Sequence, residues 1–190
     1  MAAMNLFVTG LSGMLGHDLA RRALEAGWSV CGTGTRPRSA TALPAGVEYL
    51  EGAWEGALPP GWIAGIDRAD VVVNCAAWTR VDQAETDEDA ARSLNAGLPA
   101  ALAARCNRTG SRLVQISTDY VFDGSRTDAW PEDAPVAPLG AYGRTKEEGE
   151  RAARETARHT IVRTSWLFGH HGPNFVETMI RVGRERPELR

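Results

Sequence analysis

The sequence predicts an α/β fold in which a doubly wound parallel sheet carries helices on both of its faces. Short β-rich runs alternate with longer helical runs along the 190 residues, and no tight-turn signal joins two neighbouring strands into a hairpin. The run Asp70–Cys75 contains three consecutive valines, which is typical of a strand buried on both faces. Right-handed crossover connections then favour the doubly wound arrangement.

Six strands are predicted, and helices or turns separate them. The strands are Asn5–Thr9, Ser29–Thr33, Val47–Leu50, Asp70–Cys75, Arg112–Ser117 and Thr160–Thr164. The first helix follows the turn Gly10–Gly16 and ends at Gly27, because glycine is common just past a helix C-terminus.

The later helices are predicted from capping and breaking residues. Thr86 and Asp89 stand three positions apart and resemble a capping box before a long alanine-rich helix. Pro99 kinks or restarts this helix, since proline lacks the N–H that a helix interior needs. The remaining predictions are helices over Ala141–Ala157 and Asn174–Arg184, and an irregular, proline-containing surface loop over Ser125–Leu139.

Composition excludes several classes of protein. A content of 43% hydrophobic and 24% charged residues argues against collagen-like, disordered and coiled-coil chains. The net charge of −3 and the absence of a basic face in the sequence argue against nucleic acid as a partner. Cys31, Cys75 and Cys106 lie far apart, which indicates reduced thiols, a cytoplasmic setting and no metal site. No apolar run approaches the roughly 20 residues of a membrane helix.

A glycine-rich turn follows the first predicted strand. Gly10, Gly13 and Gly16 form G-x-x-G-x-x-G between that strand and the first helix. The first glycine permits the sharp turn, the second lets backbone approach a pyrophosphate, and the third lets helix and strand pack closely. The helix N-terminus would offer free N–H groups to phosphates. This context predicts a Rossmann-type dinucleotide site, and the alternative is a glycine-rich turn without a ligand.

The end of the second strand bears on the choice of cofactor. A site for NAD expects an acid there to bind the ribose diol, but the segment Thr33–Arg38 holds none and contains Arg36 and Arg38. Guanidinium groups suit a 2′-phosphate, so NADPH is favoured, with NADH as the alternative. Both arginines could equally be solvated loop charges.

A tyrosine and the only lysine share one face of a predicted helix. Tyr142 and Lys146 form Y-x-x-x-K, and the other 20 of the 21 basic residues are arginines. A nearby ammonium lowers the pKa of a phenol, and such a phenol can protonate a carbonyl oxygen as hydride arrives at carbon. The alternative is an exposed pair on a helix surface. Ser117 and Thr118 end the fifth strand, where a hydroxyl can either hydrogen-bond a reacting carbonyl or cap a turn.

Five segments together resemble the extended short-chain dehydrogenase/reductase superfamily, and within it the dTDP-4-dehydrorhamnose reductase family. They are G-L-S-G-M-L-G (Gly10–Gly16), N-C-A-A-W-T-R-V-D-Q-A-E (Asn74–Glu85), S-T-D-Y-V-F-D-G (Ser117–Gly124), P-L-G-A-Y-G-R-T-K-E-E-G-E (Pro138–Glu150) and R-T-S-W-L-F-G (Arg163–Gly169). They occur in the order and spacing of the family. The S-T-D-Y-V-F and R-T-S-W segments are specific to the family rather than to the superfamily.

The resemblance implies a role for individual positions. The implied catalytic residues are Thr118, Tyr142 and Lys146. The implied cofactor-binding residues are Gly10, Ser12, Gly13, Met14, Leu15, Arg36, Ala76, Ala77, Trp78, Thr79, Tyr142 and Lys146. The implied substrate-binding residues are Thr118, Asp119, Tyr142 and Trp166. Two alternatives stay open: Asn95 either buttresses the site or marks a kink beside Pro99, and Trp166 either contacts substrate or fills the core.

The resemblance also carries expectations about length and metal. Family members are longer and continue into a C-terminal substrate domain, so we expect residues 1–190 to form an NAD(P)-binding Rossmann-type domain truncated before it. The family often has an acid at the position of Thr33 and a smaller residue at that of Trp78. Some members are described as using magnesium through glutamates at a subunit contact, and Asp18 aligns with one of these. We predict no metal site in this chain.

Three functions are consistent with the sequence. The first is a reductase that transfers hydride from NADPH to the C4 ketone of a dTDP-4-keto-6-deoxyhexose, a nucleotide-sugar. A homodimer is the predicted assembly. A dehydratase is disfavoured, because Asp119 is followed by Tyr120 and not by a second acid. The second is a non-catalytic NADP-binding regulatory subunit, similar to that of methionine adenosyltransferase. The third is a cofactor domain that binds NADP but is inactive alone.

Overall fold

The computed structural model describes residues 3–185, and its centre is one six-stranded sheet in which every neighbouring pair of strands is parallel. The strands are β1 (Asn5–Thr9), β2 (Ser29–Gly34), β3 (Glu48–Glu51), β4 (Val71–Asn74), β5 (Arg112–Thr118) and β6 (His159–Thr164). Their spatial order is β3-β2-β1-β4-β5-β6. This is the order of a doubly wound, Rossmann-type sheet, so the predicted fold class is confirmed.

Helices cover both faces of the sheet, as predicted. They are α1 (Met14–Glu25), α2 (Pro60–Asp67), α3 (Val81–Ala84), α4 (Glu88–Arg92), α5 (Leu98–Thr109), α6 (Ala141–Arg154) and α7 (Phe175–Glu185). The sequence analysis missed α2, a helix of 8 residues that contains two glycines and begins with a proline. None of the helices within residues 3–185 combines the length and the apolar character needed to cross a lipid bilayer.

Alternating side chains of the strands feed two separate cores. On one face, Phe7 of β1 and Leu113 of β5 pack with Leu102 of α5 in a cluster that also includes residues of α2 and α6. On the other face, Val8 of β1 packs with Ala20 of α1. Successive residues of a strand point to opposite faces, so one apolar run supplies both cores.

The long alanine-rich helix is interrupted, and its predicted capping box does not form. The Thr86 hydroxyl donates to the Gln83 carbonyl oxygen (3.1 Å) and so does not cap the helix. Helix α4 begins at Glu88, and the side chain of the preceding Asp87 makes no capping hydrogen bond. Between α4 and α5 the backbone widens into a π-helical stretch, Ser93–Gly97. Pro99 follows this stretch directly. Gly97 and Leu98 keep helical backbone angles, so the helix widens here and does not restart, and Pro99 marks a distortion within one continuous helix.

The winding of the sheet reverses between β1 and β4. The chain leaves β1 toward β2 on one side and returns to β4 on the other. In sheets of this kind the loops after the two central strands diverge and leave a crevice at the carboxyl edge.

Candidate active site at the carboxyl edge of the sheet

A crevice of about 1080 Å³ lies at this edge. Its walls come from the segments that follow β1, β2, β3, β4, β5 and β6 and from the start of α6. Every residue to which the family resemblance assigns a catalytic, cofactor-binding or substrate-binding role lines it: Gly10, Ser12, Gly13, Met14, Leu15, Arg36, Ala76, Ala77, Trp78, Thr79, Thr118, Asp119, Tyr142, Lys146 and Trp166. The structure thus brings these residues together, while their roles stay predictions.

The glycine turn has the geometry of an open anion site. Gly10 has a φ of +66°, and a Cβ atom there would lie 2.8 Å from the Ala76 backbone nitrogen. A Cβ atom on Gly16 would collide with the backbone of Gly10 and Leu11, so this glycine permits close helix–strand packing as predicted. No side chain within residues 3–185 caps the start of α1, and its first turn contains no acid. Its N–H groups therefore remain available to a phosphate.

Tyr142 and Thr118 both line the crevice, and the Thr118 side chain hydrogen-bonds the Tyr142 hydroxyl. Thr118 is 5% exposed, and its Oγ1 donates to Asp119 Oδ1 (3.2 Å) and accepts from the Tyr120 N–H (3.2 Å). Burial raises the pKa of the Tyr142 hydroxyl above its usual value, and hydrogen bonding to the Thr118 side chain only partly offsets this. The phenol is therefore a proton donor over the whole physiological range.

Lys146 is held beneath the crevice by the sheet. It is 3% exposed, and its Nζ donates to the Ile116 carbonyl oxygen of β5 (2.7 Å). Burial lowers the pKa of its ammonium to about 8, an effect that the charge of Glu150 partly offsets. The expectation that Lys146 lowers the pKa of Tyr142 is wrong for this structure. Lys146 is not among the groups that shift this pKa, and burial of the phenol outweighs the hydrogen bonding that favours phenolate.

Asn95 supports the loop that follows β4. Its Oδ1 accepts from the Trp78 N–H (2.8 Å), and its Nδ2 donates to the Trp78 carbonyl oxygen (3.3 Å) and to Thr145 Oγ1 (3.1 Å). Asn95 is 1% exposed and lies within the π-helical stretch. The two alternatives of the sequence analysis are therefore both present, because the backbone distortion coincides with the supporting contacts.

Arg36 reaches the crevice and Arg38 does not. The Tyr49 hydroxyl donates to the Arg36 carbonyl oxygen (2.6 Å), which fixes the backbone, and no salt bridge within the described part of the chain occupies the Arg36 guanidinium. Arg38 instead donates from Nη2 to the Pro44 carbonyl oxygen (3.3 Å). Thr33, at the position where the family often has an acid, is 1% exposed.

Trp166 stands at the mouth of the crevice. It is 75% exposed, its ring centroid lies 5.4 Å from that of Phe175 in an edge-to-face arrangement, and its φ of +54° is unusual for a bulky residue. Trp166 is therefore not part of the core that residues 3–185 form. A strained, exposed aromatic residue beside a site is consistent with a binding role.

Two further tryptophans line the crevice and were missed by the sequence analysis. Trp54 follows β3, and its Nε1 donates to the Ser93 carbonyl oxygen (2.9 Å). Trp62 belongs to α2 and is 4% exposed. Trp54 could have been predicted from the sequence, because the segment that follows the third strand begins at the same edge of the parallel sheet as the segments that follow the other strands.

Comparison with known proteins assigns the chain to a family. The family model described as "RmlD substrate binding domain" matches residues 4–190. A dTDP-4-dehydrorhamnose reductase of Streptomyces griseus is 45% identical over 177 residues, which are 92% of this chain and 54% of that protein. A probable dTDP-4,6-dihydroxy-2-methyloxan-3-one 4-ketoreductase of Streptomyces antibioticus is 44% identical and covers 93% of this chain and 56% of its own length.

A solved structure agrees with these relatives. The crystal structure of dTDP-4-dehydrorhamnose reductase from Bacillus anthracis in complex with NADP has 33% sequence identity and a TM-score of 0.79, and the match covers 100% of this chain and 63% of that one. The chain thus spans little more than half the length of the relatives it matches.

Proposed function

This chain belongs to the RmlD substrate binding domain family, and on this premise we propose that it carries the cofactor site and the catalytic residues of a nucleotide-sugar reductase. The proposed reaction is reduction of the C4 ketone of a dTDP-4-keto-6-deoxyhexose, with NADPH as the donor and NADH as a weaker alternative. The proposed domain assignment makes residues 1–190 the NAD(P)-binding Rossmann-type domain. A cytoplasmic setting and a homodimer stay predictions.

One observation carries the proposal. Thr118, Tyr142 and Lys146 line the same crevice as the glycine turn, although they come from three separate positions in the chain. A proton donor beside a dinucleotide-type site is what a carbonyl reduction needs. The open N-terminus of α1 fits a bound pyrophosphate.

Each catalytic residue has a distinct proposed task. When bound, NADPH supplies the hydride. The Tyr142 hydroxyl gives its proton to the ketone oxygen, and its raised pKa keeps it protonated beforehand. The Thr118 hydroxyl, which donates to Asp119 Oδ1 in this structure, exchanges that partner for the ketone oxygen and stabilises the negative charge that develops there. The Lys146 ammonium uses one of its three N–H groups on the Ile116 carbonyl oxygen and offers the others to the ribose hydroxyls.

The substrate class rests on the named relatives. The two Streptomyces relatives and the Bacillus anthracis protein carry reductase names that specify dTDP-sugars. These names support the reductase over the regulatory subunit. Because the chain spans 54% of the Streptomyces griseus relative, the reductase activity of the whole protein is part of the proposal.

The proposal is tested by measuring two quantities separately, the consumption of NADPH and the affinity for NADPH. The chain is mixed with NADPH and a dTDP-4-keto-6-deoxyhexose, both alone and extended by the C-terminal part of the Streptomyces griseus relative, and the nicotinamide absorbance is followed. We expect NADPH consumption, and we expect Tyr142→Phe to lower it roughly 10²- to 10⁴-fold because the proton donor is lost.

The control is the affinity for NADPH, followed by quenching of tryptophan fluorescence. Tyr142→Phe should leave this affinity unchanged, because the phenol acts on the substrate oxygen. Equal loss of affinity and turnover would contradict the role of Tyr142. Absence of consumption in both forms of the protein would overturn the reductase proposal.

A further inference from the structure

A second cluster of ligand-type side chains lies beside the crevice and is not used by the proposed reaction. His17 and Asp18 belong to the second turn of α1, and His171 belongs to the loop between β6 and α7. One nitrogen or oxygen atom from each of the three lies within 4.8 Å of those from the other two. None of the three lines the crevice, although Met14 and Gly172, which lie close by, do.

The His17 ring is oriented as a metal ligand would be. Its Nε2 lies 2.9 Å from the Ala42 carbonyl oxygen, which can only accept, so Nε2 carries the proton in the neutral ring. Nδ1 is then an unprotonated acceptor. This atom is buried and has no hydrogen-bond partner among residues 3–185, and His17 as a whole is 6% exposed. At metal sites, a ligating histidine commonly donates the N–H of one ring nitrogen to a backbone carbonyl oxygen, which leaves the other ring nitrogen unprotonated and free to bind the ion.

Asp18 and His171 lie on the same side of α1 as this nitrogen, and one possible ligand atom from each of the three residues lies within 4.8 Å of the others. Asp18 Oδ1 is 3.9 Å from His17 Nδ1, and the Asp18 side chain is 35% exposed. The His171 ring is stacked on that of His17, with the centroids 3.4 Å apart and the planes tilted by 31°. The lone pairs of stacked rings point side by side, so the His171 side chain has to rotate to direct a nitrogen at the same ion. Ligands of a tetrahedral ion at about 2.1 Å are about 3.4 Å apart, so the His17–Asp18 pair needs to close by about 0.5 Å. The exposed edge of the cluster leaves room for water as a fourth ligand.

We propose that His17 Nδ1, Asp18 and His171 bind one divalent transition-metal ion, with Zn²⁺ as the representative. Two imidazoles and one carboxylate suit Zn²⁺, Co²⁺ or Ni²⁺, whereas Mg²⁺ and Ca²⁺ prefer oxygen ligands alone. Asp18 aligns with one of the magnesium-binding glutamates that the family resemblance describes. The other two ligands are histidines of the same chain, so the set and the metal it suits differ from that arrangement. The sequence analysis predicted no metal site from the scattered cysteines, and it did not consider the two histidines, which lie far apart in the chain.

Such an ion would tie the loop before α7 to the start of α1. A Cβ atom on Gly169 would lie 3.1 Å from Asp18 Oδ2 and 3.1 Å from Met14 Cγ, so the loop already packs against this turn. The Asn174 side chain closes the loop by donating to the Gly169 carbonyl oxygen (2.9 Å). The ion would therefore act as a structural clasp at the rim of the crevice, outside the reacting atoms.

Binding is tested on the chain without a histidine tag. Co²⁺ is titrated while its visible absorption is recorded, and Zn²⁺ is titrated by calorimetry. We expect one ion per chain and a tetrahedral Co²⁺ spectrum. His171→Ala and Asp18→Asn should each weaken Zn²⁺ by more than about 100-fold, since loss of an outer partner alone costs 10- to 100-fold.

His170→Ala is the matched control, because His170 is exposed and is not part of the cluster. It should bind Zn²⁺ as the unaltered chain does, and Mg²⁺ should not compete. Saturable binding that survives in both His171→Ala and Asp18→Asn would overturn the proposal. So would equal losses in His170→Ala and His171→Ala, or the absence of any binding by the unaltered chain. Circular dichroism of each variant separates loss of the site from loss of the fold.

Discussion

Lys146 is the residue in which burial and charge are most directly opposed. Its ammonium lies 2.7 Å from the Ile116 carbonyl oxygen and is almost fully enclosed, and its pKa falls to about 8 because burial disfavours the charged form. The proposed role requires the charge, so the site retains a group that costs stability below this pKa. The sequence shows that Lys146 is the only lysine of the chain. Its burial could not be predicted, because it results from the packing of α6 against β5.

We expect Lys146→Met to change the pH dependence of stability in one direction. Between pH 8 and the ordinary lysine pKa of about 10.5, the unfolded chain binds the proton that the folded chain has released. The free energy of unfolding of the unaltered chain should therefore rise relative to that of Lys146→Met over this interval, by up to about 3 kcal/mol. Urea unfolding at a series of pH values measures this difference.

Arg108→Met provides the comparison for this experiment. Arg108 is exposed, and an arginine keeps its charge throughout the range. The free energy of unfolding of Arg108→Met should change with pH in the same way as that of the unaltered chain. A parallel profile for Lys146→Met as well would contradict the buried-ammonium interpretation.

Arg36 is predicted to decide between the two nicotinamide cofactors. Its guanidinium is exposed at the rim of the crevice, where it can accept a 2′-phosphate. Arg36→Ala should weaken NADPH roughly 10- to 100-fold, as expected for loss of a charge-assisted hydrogen bond, with little effect on NADH. Fluorescence titration with both cofactors measures the ratio. Arg38→Ala, outside the crevice, should leave the ratio unchanged, and an unchanged ratio in Arg36→Ala would refute the assignment.

At the scale of elements, the start of α6 depends on a residue distant in sequence. No side chain of Gly140 is available to cap the helix, and the Ala141 N–H instead donates to Glu85 Oε1 (2.7 Å). A carboxylate at a helix N-terminus satisfies a free N–H and interacts favourably with the helix dipole. Because Tyr142 is the next residue, this contact also fixes the position of the proposed proton donor.

We expect Glu85→Ala to lower the free energy of unfolding by about 1 kcal/mol, the usual value of a lost cap. Asp89→Ala is the matched variant. Asp89 has a fully exposed side chain and an ion pair with Arg92 (3.2 Å), and such surface pairs contribute little. The two variants are compared by their midpoints of denaturant-induced unfolding. Equal effects of the two substitutions would mean that Glu85 acts only as a surface charge.

The π-helical stretch illustrates how far an element can be predicted. Pro99 predicted a kink or a restart of the long helix, and the structure shows a π-helical widening directly before it, without a restart. The position of Asn95 against the Trp78 backbone could not be derived, since these residues lie 17 positions apart and meet only through packing. The predicted Thr86 cap failed for a local reason: its hydroxyl turns back to the Gln83 carbonyl oxygen.

At the scale of the whole molecule, large apolar side chains are exposed mainly near the last described helix, α7. Trp166, Phe168 and Phe175 are 75%, 70% and 57% exposed, and α7 has no buried residue among those described. Apolar surface of this kind is unusual on a monomer. The chain spans little more than half of its relatives, so the tests of turnover above include an extended form.

The sequence by itself determined the fold class, the glycine turn and the strand-end positions of the site residues. It could do so because burial on both faces produces apolar runs, and because the carboxyl ends of parallel strands share one edge. The tertiary structure alone decided which residues support the site: Glu85 at α6, Asn95 at Trp78, Ile116 at Lys146 and His171 at His17. These contacts join distant segments, and no local pattern encodes them, because strand order and helix packing bring the partners together.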